Sequence, residues 1–161
     1  MGKNCIVAQS GGPTAAINAS LAGVISAVKA SENYDKLYGA IHGIQGVLRK
    51  NFMELSVLNE DFIERLSATP AMYLGSCRFK LPDYKEDEQP YKDIFGVFEE
   101  YDISAFFYIG GNDSMDTVAK LSAYAQKIGS NVKIAGIPKT IDNDLLVTDH
   151  TPGFGSAAKY I

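Results

Sequence analysis

Residues 136–150 read GIPKTIDNDLLVTDH, so one short stretch gathers Lys139, Asp142, Asn143, Asp144, Asp149 and His150. An aspartate beside an incoming hydroxyl accepts its proton as a general base. A lysine neutralises charge on a transferring phosphoryl group. Asp142 and Asp144 alternate with Asn143, so in an extended segment their carboxylates point the same way. A calcium loop is ruled out: one opening at Asp142 needs glycine sixth and glutamate twelfth, and Val147 and Gly153 stand there. Phosphoryl chemistry and a solvated polar loop both remain open on this stretch alone.

Three further stretches carry residues suited to an anion. SGGP, residues 10–13, places the Gly11–Gly12 pair before an apolar-periodic run, where free N–H groups and a helix dipole favour negative charge. IGGNDSMD, residues 109–116, repeats the arrangement: Gly110 and Gly111 allow close approach of a ligand, and Asn112, Asp113 and Ser114 are candidate helix caps. GSCRF, residues 75–79, offers the Arg78 guanidinium for bidentate contact with phosphate. Each has a plainer alternative, namely a strand-to-helix turn, a capped helix end and an exposed loop arginine. Two patterns are decoys. GFGSAA (153–158) matches G-x-G-x-x-A but follows a polar loop rather than a first strand, and no G-x-x-x-x-G-K-[ST] run exists. His42 and His150 stand alone in the sequence and read as surface or supporting residues.

Positioning these residues requires strands that end where they begin. NCIVA (4–8), KLYGAI (36–41), MELSVL (53–58), AMYLGS (71–76), AFFYIGG (105–111) and VKIAGIP (132–138) read as strands, the third a short edge strand. PTAAINASLAGVISAVKAS (13–31) spaces Ile17, Leu21, Val24, Ile25 and Val28 as a helix, with Pro13 in its first turn. NEDFIERLSA, YKDIFGVFEEYD and DSMDTVAKLSAYAQKIG read as further helices, CRFKLPDYKEDEQP as a loop, and PGFGSAAKYI as a helix beginning. Strands alternating with helices predict an α/β domain, a parallel sheet with helices on both faces. Ligands in such sheets sit beyond the carboxyl ends of the strands. Those ends are QSGGP, GSCRF, GGNDS and PKTIDND.

The bulk properties exclude several other classes. At 161 residues the chain is long enough for one domain. The net charge of −4 disfavours a nucleic-acid partner. Two cysteines, Cys5 and Cys77, form no metal-spaced set, and Cys5 reads as a buried reduced thiol. No stretch reads as a signal peptide or a membrane span, so a cytoplasmic protein is expected.

Taken in order, SGGP…N, LGSCRF, GGNDS, PKTIDNDL and TDHTPGFGSA resemble the phosphofructokinase family, which phosphorylates fructose 6-phosphate at its 1-position. The resemblance runs over essentially the whole chain. It implies Asp142 as the base taking the proton from the sugar hydroxyl. It implies Thr140, Ile141 and Asp144 around the sugar phosphate, Gly11 and Gly12 as the phosphoryl-donor loop, and Arg78 as a donor-phosphate contact. GGNDS is similar to the segment lining the donor phosphates and magnesium, the implied cofactor, although Asn112 stands where the family usually carries a magnesium-associated aspartate.

ATP-using members look like GGDGS and PGTIDND; here Asp113 and Lys139 replace the distinguishing glycines. A glycine leaves room for a nucleotide, an aspartate fills that room, and a lysine supplies an ammonium for phosphate oxygens. The pair resembles the pattern of pyrophosphate-dependent members, so pyrophosphate and fructose 6-phosphate are the implied substrates. Ala22 and Ser26 stand where allosteric ATP-type relatives carry arginines, which implies weak nucleotide allostery or none. Family members run on into a second domain. Residues 1–161 are therefore expected to form a donor-binding domain, inactive or nearly so alone and homo-oligomeric when full length. An ATP-dependent kinase of the same fold and a non-catalytic phosphate-binding module are the competing readings.

Overall fold

The computed structural model describes residues 3–161. Strand β1 (Asn4–Gln9) lies at the middle of a five-stranded sheet. On one side it pairs in parallel with β2 (Lys36–Ala40), which pairs antiparallel with the edge strand β3 (Phe52–Glu54). On the other side it pairs in parallel with β4 (Ile103–Gly110), and β4 with β5 (Lys133–Pro138), also in parallel. The order is β3-β2-β1-β4-β5.

Side-chain alternation divides the core into two layers. Cys5 and Val7 of β1, with Leu37, Ala105 and Ile109, pack on helices α1 (Ile17–Lys29) and α3 (Glu60–Ala68). Ile6 and Ala8, with Ala40, Phe106 and Tyr108, pack on α2 (Gly43–Leu48), α4 (Gln89–Glu100) and α5 (Asn112–Lys127). From the centre, β1–α1–β2 runs one way and β4–α5–β5 the other. Right-handed crossovers in opposite directions put α1 and α5 on opposite faces. Helix α6 (Phe154–Tyr160) follows the polar loop after β5.

The expected parallel sheet with helices on both faces is present, with β3 antiparallel at its edge. Three local expectations change, and one helix was not foreseen. Helix α1 starts at Ile17, not at Pro13, leaving a longer turn after β1. MELSVL supplies only two residues to β3, because Leu55 turns inward and is fully buried. AMYLGS is not a strand: the amides of Tyr73 and Leu74 are taken up by side chains of α1 and β1, as described below. Helix α2 arises in a stretch too short to show a period, opened by His42 in a left-handed conformation (φ 66°). Among the described residues no helix is long and apolar enough to cross a membrane.

Candidate functional site

Because the crossovers leave β1 and β4 in opposite directions, a crevice opens between the carboxyl ends of these strands. It is a cleft of about 1020 Å³, lined by residues 10–13, 76–80 and 111–114 with Tyr108, Thr117 and Lys139. Gly11, Gly12, Arg78, Asn112, Asp113 and Lys139, separated by up to 128 positions in sequence, all face it.

The turn after β1 depends on Gly11, whose φ of 81° favours glycine. A Cβ there would also sit 3.3 Å from Lys139 Nζ, so the ammonium lies directly over the glycine turn. The Lys139 amide donates to Gly110 O at 2.9 Å, which extends the β4–β5 ladder one step and fixes where the side chain starts. Burial holds the Lys139 ammonium below the usual lysine range, and the Asp142 carboxylate opposes that shift. Asp142 therefore acts on the cleft through its charge, although it does not line it.

At the start of α5 the expected side-chain caps are not used: Gly111 is the N-cap and no side chain caps it. Ser114 is buried and folds back over Gly110, where a Cβ would collide with its Oγ. Asn112 and Asp113 stay exposed on the cleft. The first N–H groups of a helix lack internal acceptors. Here they face the cleft with the positive end of the dipole, so α5 rather than the displaced α1 presents its terminus to an anion.

Residues 140–151 are not extended. Asn143 is left-handed (φ 58°) and clamps the loop by donating Nδ2–H to Asp149 O (3.3 Å) and accepting Thr151 N–H at Oδ1 (2.7 Å). The alternation that would align Asp142 with Asp144 is broken by that turn. Asp142 N–H donates to Thr140 Oγ1 at 3.0 Å. Asn112 Nδ2–H donates to Asp144 Oδ2 at 3.2 Å, tying α5 to the aspartate-rich loop. Thr140, Ile141, Asp142 and Asp144 thus form a flank beside the cleft. Ile141 is 43% exposed there, and Asp142 and Asp144 are also open to solvent.

Sequence reasoning missed the residues that hold the segment leading to Arg78. Gln9 and Asn18, both buried, bind backbone groups of residues 69–74, and Ser76 Oγ–H donates to Gly11 O at 2.8 Å. A buried glutamine closing an apolar strand was the available signal. Lys80 also lines the cleft, giving it three cationic side chains against the single carboxylate of Asp113. Tyr108 lines its floor, its phenol pushed by burial up to about 12. The two histidines lie off the cleft: His42 packs under Gly75, and His150 stacks edge-on against Phe154. Cys5 is buried with its thiol pushed up to about 12, while Cys77 lines the cleft; both are free thiols. Among the described residues no three histidine, cysteine or acidic side chains converge on one point.

The phosphofructokinase family model matches residues 4–161. The pyrophosphate–fructose 6-phosphate 1-phosphotransferase of Rhodospirillum rubrum is 45% identical over 156 residues, covering 97% of this chain and 37% of the relative. The sulfofructose kinase of Alkalicoccus urumqiensis is 36% identical over 155 residues, covering 96% of this chain and 38% of that protein. The crystal structure of a pyrophosphate-dependent phosphofructokinase from Marinobacter aquaeolei superposes with a TM-score of 0.86 at 44% identity, over 98% of this chain and 38% of its own. The chain thus spans under two-fifths of the length of these relatives.

Proposed function

The chain belongs to the phosphofructokinase family, and on that premise we propose that the protein carrying it transfers a phosphoryl group from pyrophosphate to the 1-hydroxyl of fructose 6-phosphate. The observation that carries this reading is Lys139 Nζ lying over the Gly11 turn with Asp113 on the same cleft. A compact polyanionic donor gains from an ammonium set against backbone N–H groups. A nucleotide needs the space that Asp113 occupies.

In this reading Gly11, Gly12 and the first turn of α5 cradle pyrophosphate, while Arg78 and Lys139 balance its charge. The sugar hydroxyl oxygen attacks the terminal phosphorus, the bridging P–O bond breaks, phosphate leaves, and the hydroxyl proton passes to Asp142. Thr140, Ile141 and Asp144 border the acceptor phosphate. Little covalent work falls to the protein in such a transfer, so positioning and electrostatics carry the rate. Magnesium suits the donor set, since it is held by one or two carboxylates together with substrate phosphates. The Oδ1 of Asn112, with the Asp144 carboxylate that its amide bonds, would hold it, and when bound it would offset charge on the transferring group. The 161 residues supply the donor half and the base, in a protein working in the cytoplasm.

The donor is tested by exchanging Asp113→Gly and Lys139→Gly together in the native protein. KM for pyrophosphate should rise at least about tenfold, the scale of losing one charge-assisted contact, and turnover with ATP should improve. Unaltered pyrophosphate kinetics would sink the donor assignment. No turnover with either donor, alongside measurable pyrophosphate binding, would favour a binding module. Turnover with pyrophosphate on a different sugar phosphate would keep the donor and revise the acceptor, a difference for which the sulfofructose kinase relative gives reason.

A further inference from the structure

The segment 69–76 has no regular secondary structure, yet three of its backbone groups are satisfied by two buried side chains. Gln9, the last residue of β1, accepts Leu74 N–H at 2.9 Å. It donates Nε2–H to Ile17 O and to Asn18 Oδ1, both at 3.1 Å. Asn18, in the first turn of α1, accepts Tyr73 N–H at 2.9 Å and donates Nδ2–H to Thr69 O at 3.0 Å. Gln9 is fully buried and Asn18 is 2% exposed. Every polar atom of the two amides is used, and their shared bond leaves each one orientation.

The pair joins three parts of the donor cleft. Gln9 precedes the Ser10–Gly12 turn and Asn18 begins the helix that follows it. The segment they hold leads straight to Ser76, which bonds Gly11 O, and then to Arg78. We infer that Gln9 and Asn18 are positioning residues that set the Arg78 guanidinium against the Gly11–Gly12 turn, and so govern pyrophosphate affinity without touching it. This rests on the donor reading above. An arginine on an unpaired loop samples many positions. One whose loop is tied to the facing turn is already in place when the anion arrives, so binding loses less entropy. The amides can do this only because they are buried and fully paired, where a lost partner leaves a costly orphan and the loop moves.

The test is a double-mutant cycle in the native protein, read as pyrophosphate affinity by calorimetry and as KM against kcat. Gln9→Met keeps the side chain's length and removes its hydrogen bonds. Asn18→Ala removes the bonds to Tyr73 N–H and Thr69 O, both at exposed residues, and leaves Gln9 its bonds to Leu74 N–H and Ile17 O, a milder change that guards against misfolding. In the presence of Arg78 each should weaken pyrophosphate binding, about tenfold for Gln9→Met and less for Asn18→Ala, with KM for the donor moving more than kcat. In an Arg78→Ala background the same changes should add little, because the residue they position is gone. Full additivity with Arg78→Ala, or folded Gln9 or Asn18 variants with unchanged donor affinity, overturns the inference alone. If neither the parent protein nor the Arg78→Ala variant binds pyrophosphate, the donor reading fails and takes this inference with it.

Discussion

Asp142 and Lys139 make different demands on the same few ångströms. In the proposed role of general base, Asp142 must be reachable, and its exposure meets that need. Asp142→Asn should lower kcat by about 10²–10⁴-fold with little change in donor KM, as expected when only proton transfer is lost; steady-state kinetics with pyrophosphate checks this. Lys139 is partly buried, and that burial disfavours its charge. A lysine with a lowered folded pKa binds fewer protons folded than unfolded as pH rises through that lowered value. Its charge therefore opposes folding at neutral pH, and the opposition fades in the alkaline range. Lys139→Met should raise the thermal midpoint at pH 7, with the gain shrinking above the lowered pKa, while pyrophosphate affinity falls. Calorimetric melting across pH beside donor titration reads both. A lysine kept at a stability cost is consistent with a role in binding.

At the scale of elements, what matters is where each strand or helix stops. Helix α5 begins directly after Gly111, so its first turn reaches the cleft, whereas α1 begins at Ile17 and leaves the glycine turn to be held by Gln9, Asn18 and Ser76. The aspartate-rich loop is held by Asn143, which combines a left-handed backbone with two hydrogen bonds to residues 149 and 151. Asn143→Ala loses both bonds and strains the backbone, costing about 1–3 kcal/mol. Asn143→Gly loses only the bonds, so it should be milder. Both should raise amide exchange in residues 140–151 and lower kcat through Asp142; equal effects would mean that the left-handed backbone contributes nothing. This element was not legible beforehand. The alternating Asp-Asn-Asp reads as extended because the eight-residue reach of Asn143 to Thr151 is a tertiary contact. AMYLGS failed for a related reason: its apolar residues suit a strand, but Tyr73 and Leu74 amides find side-chain acceptors first.

For the molecule as a whole, two apolar layers clamp a sheet whose upper edge carries the chemistry. Leu21 is fully buried between α1 and the sheet, within the layer away from α5. Leu21→Ala should cost about 2–5 kcal/mol in urea unfolding. Under folded conditions it should leave the ratio of pyrophosphate to ATP use unchanged, since Leu21 does not line the cleft. A change in the ratio would mean that core packing on this face reaches the cleft.

The sequence by itself determined the class of fold, because period-2 and period-3.6 patterns are local and survive without knowledge of neighbours. It also determined the chemistry of the strand ends, because glycine pairs, a lysine and aspartates are informative by type. Tertiary structure alone decided which of them meet. A crevice exists only where the crossovers diverge, between β1 and β4, and that divergence brings Gly11 under Lys139 across 128 positions. It also decided that Gln9 and Asn18, amides that carry no chemistry of their own, hold the arginine loop, since a buried hydrogen bond depends on burial that no short window of sequence contains.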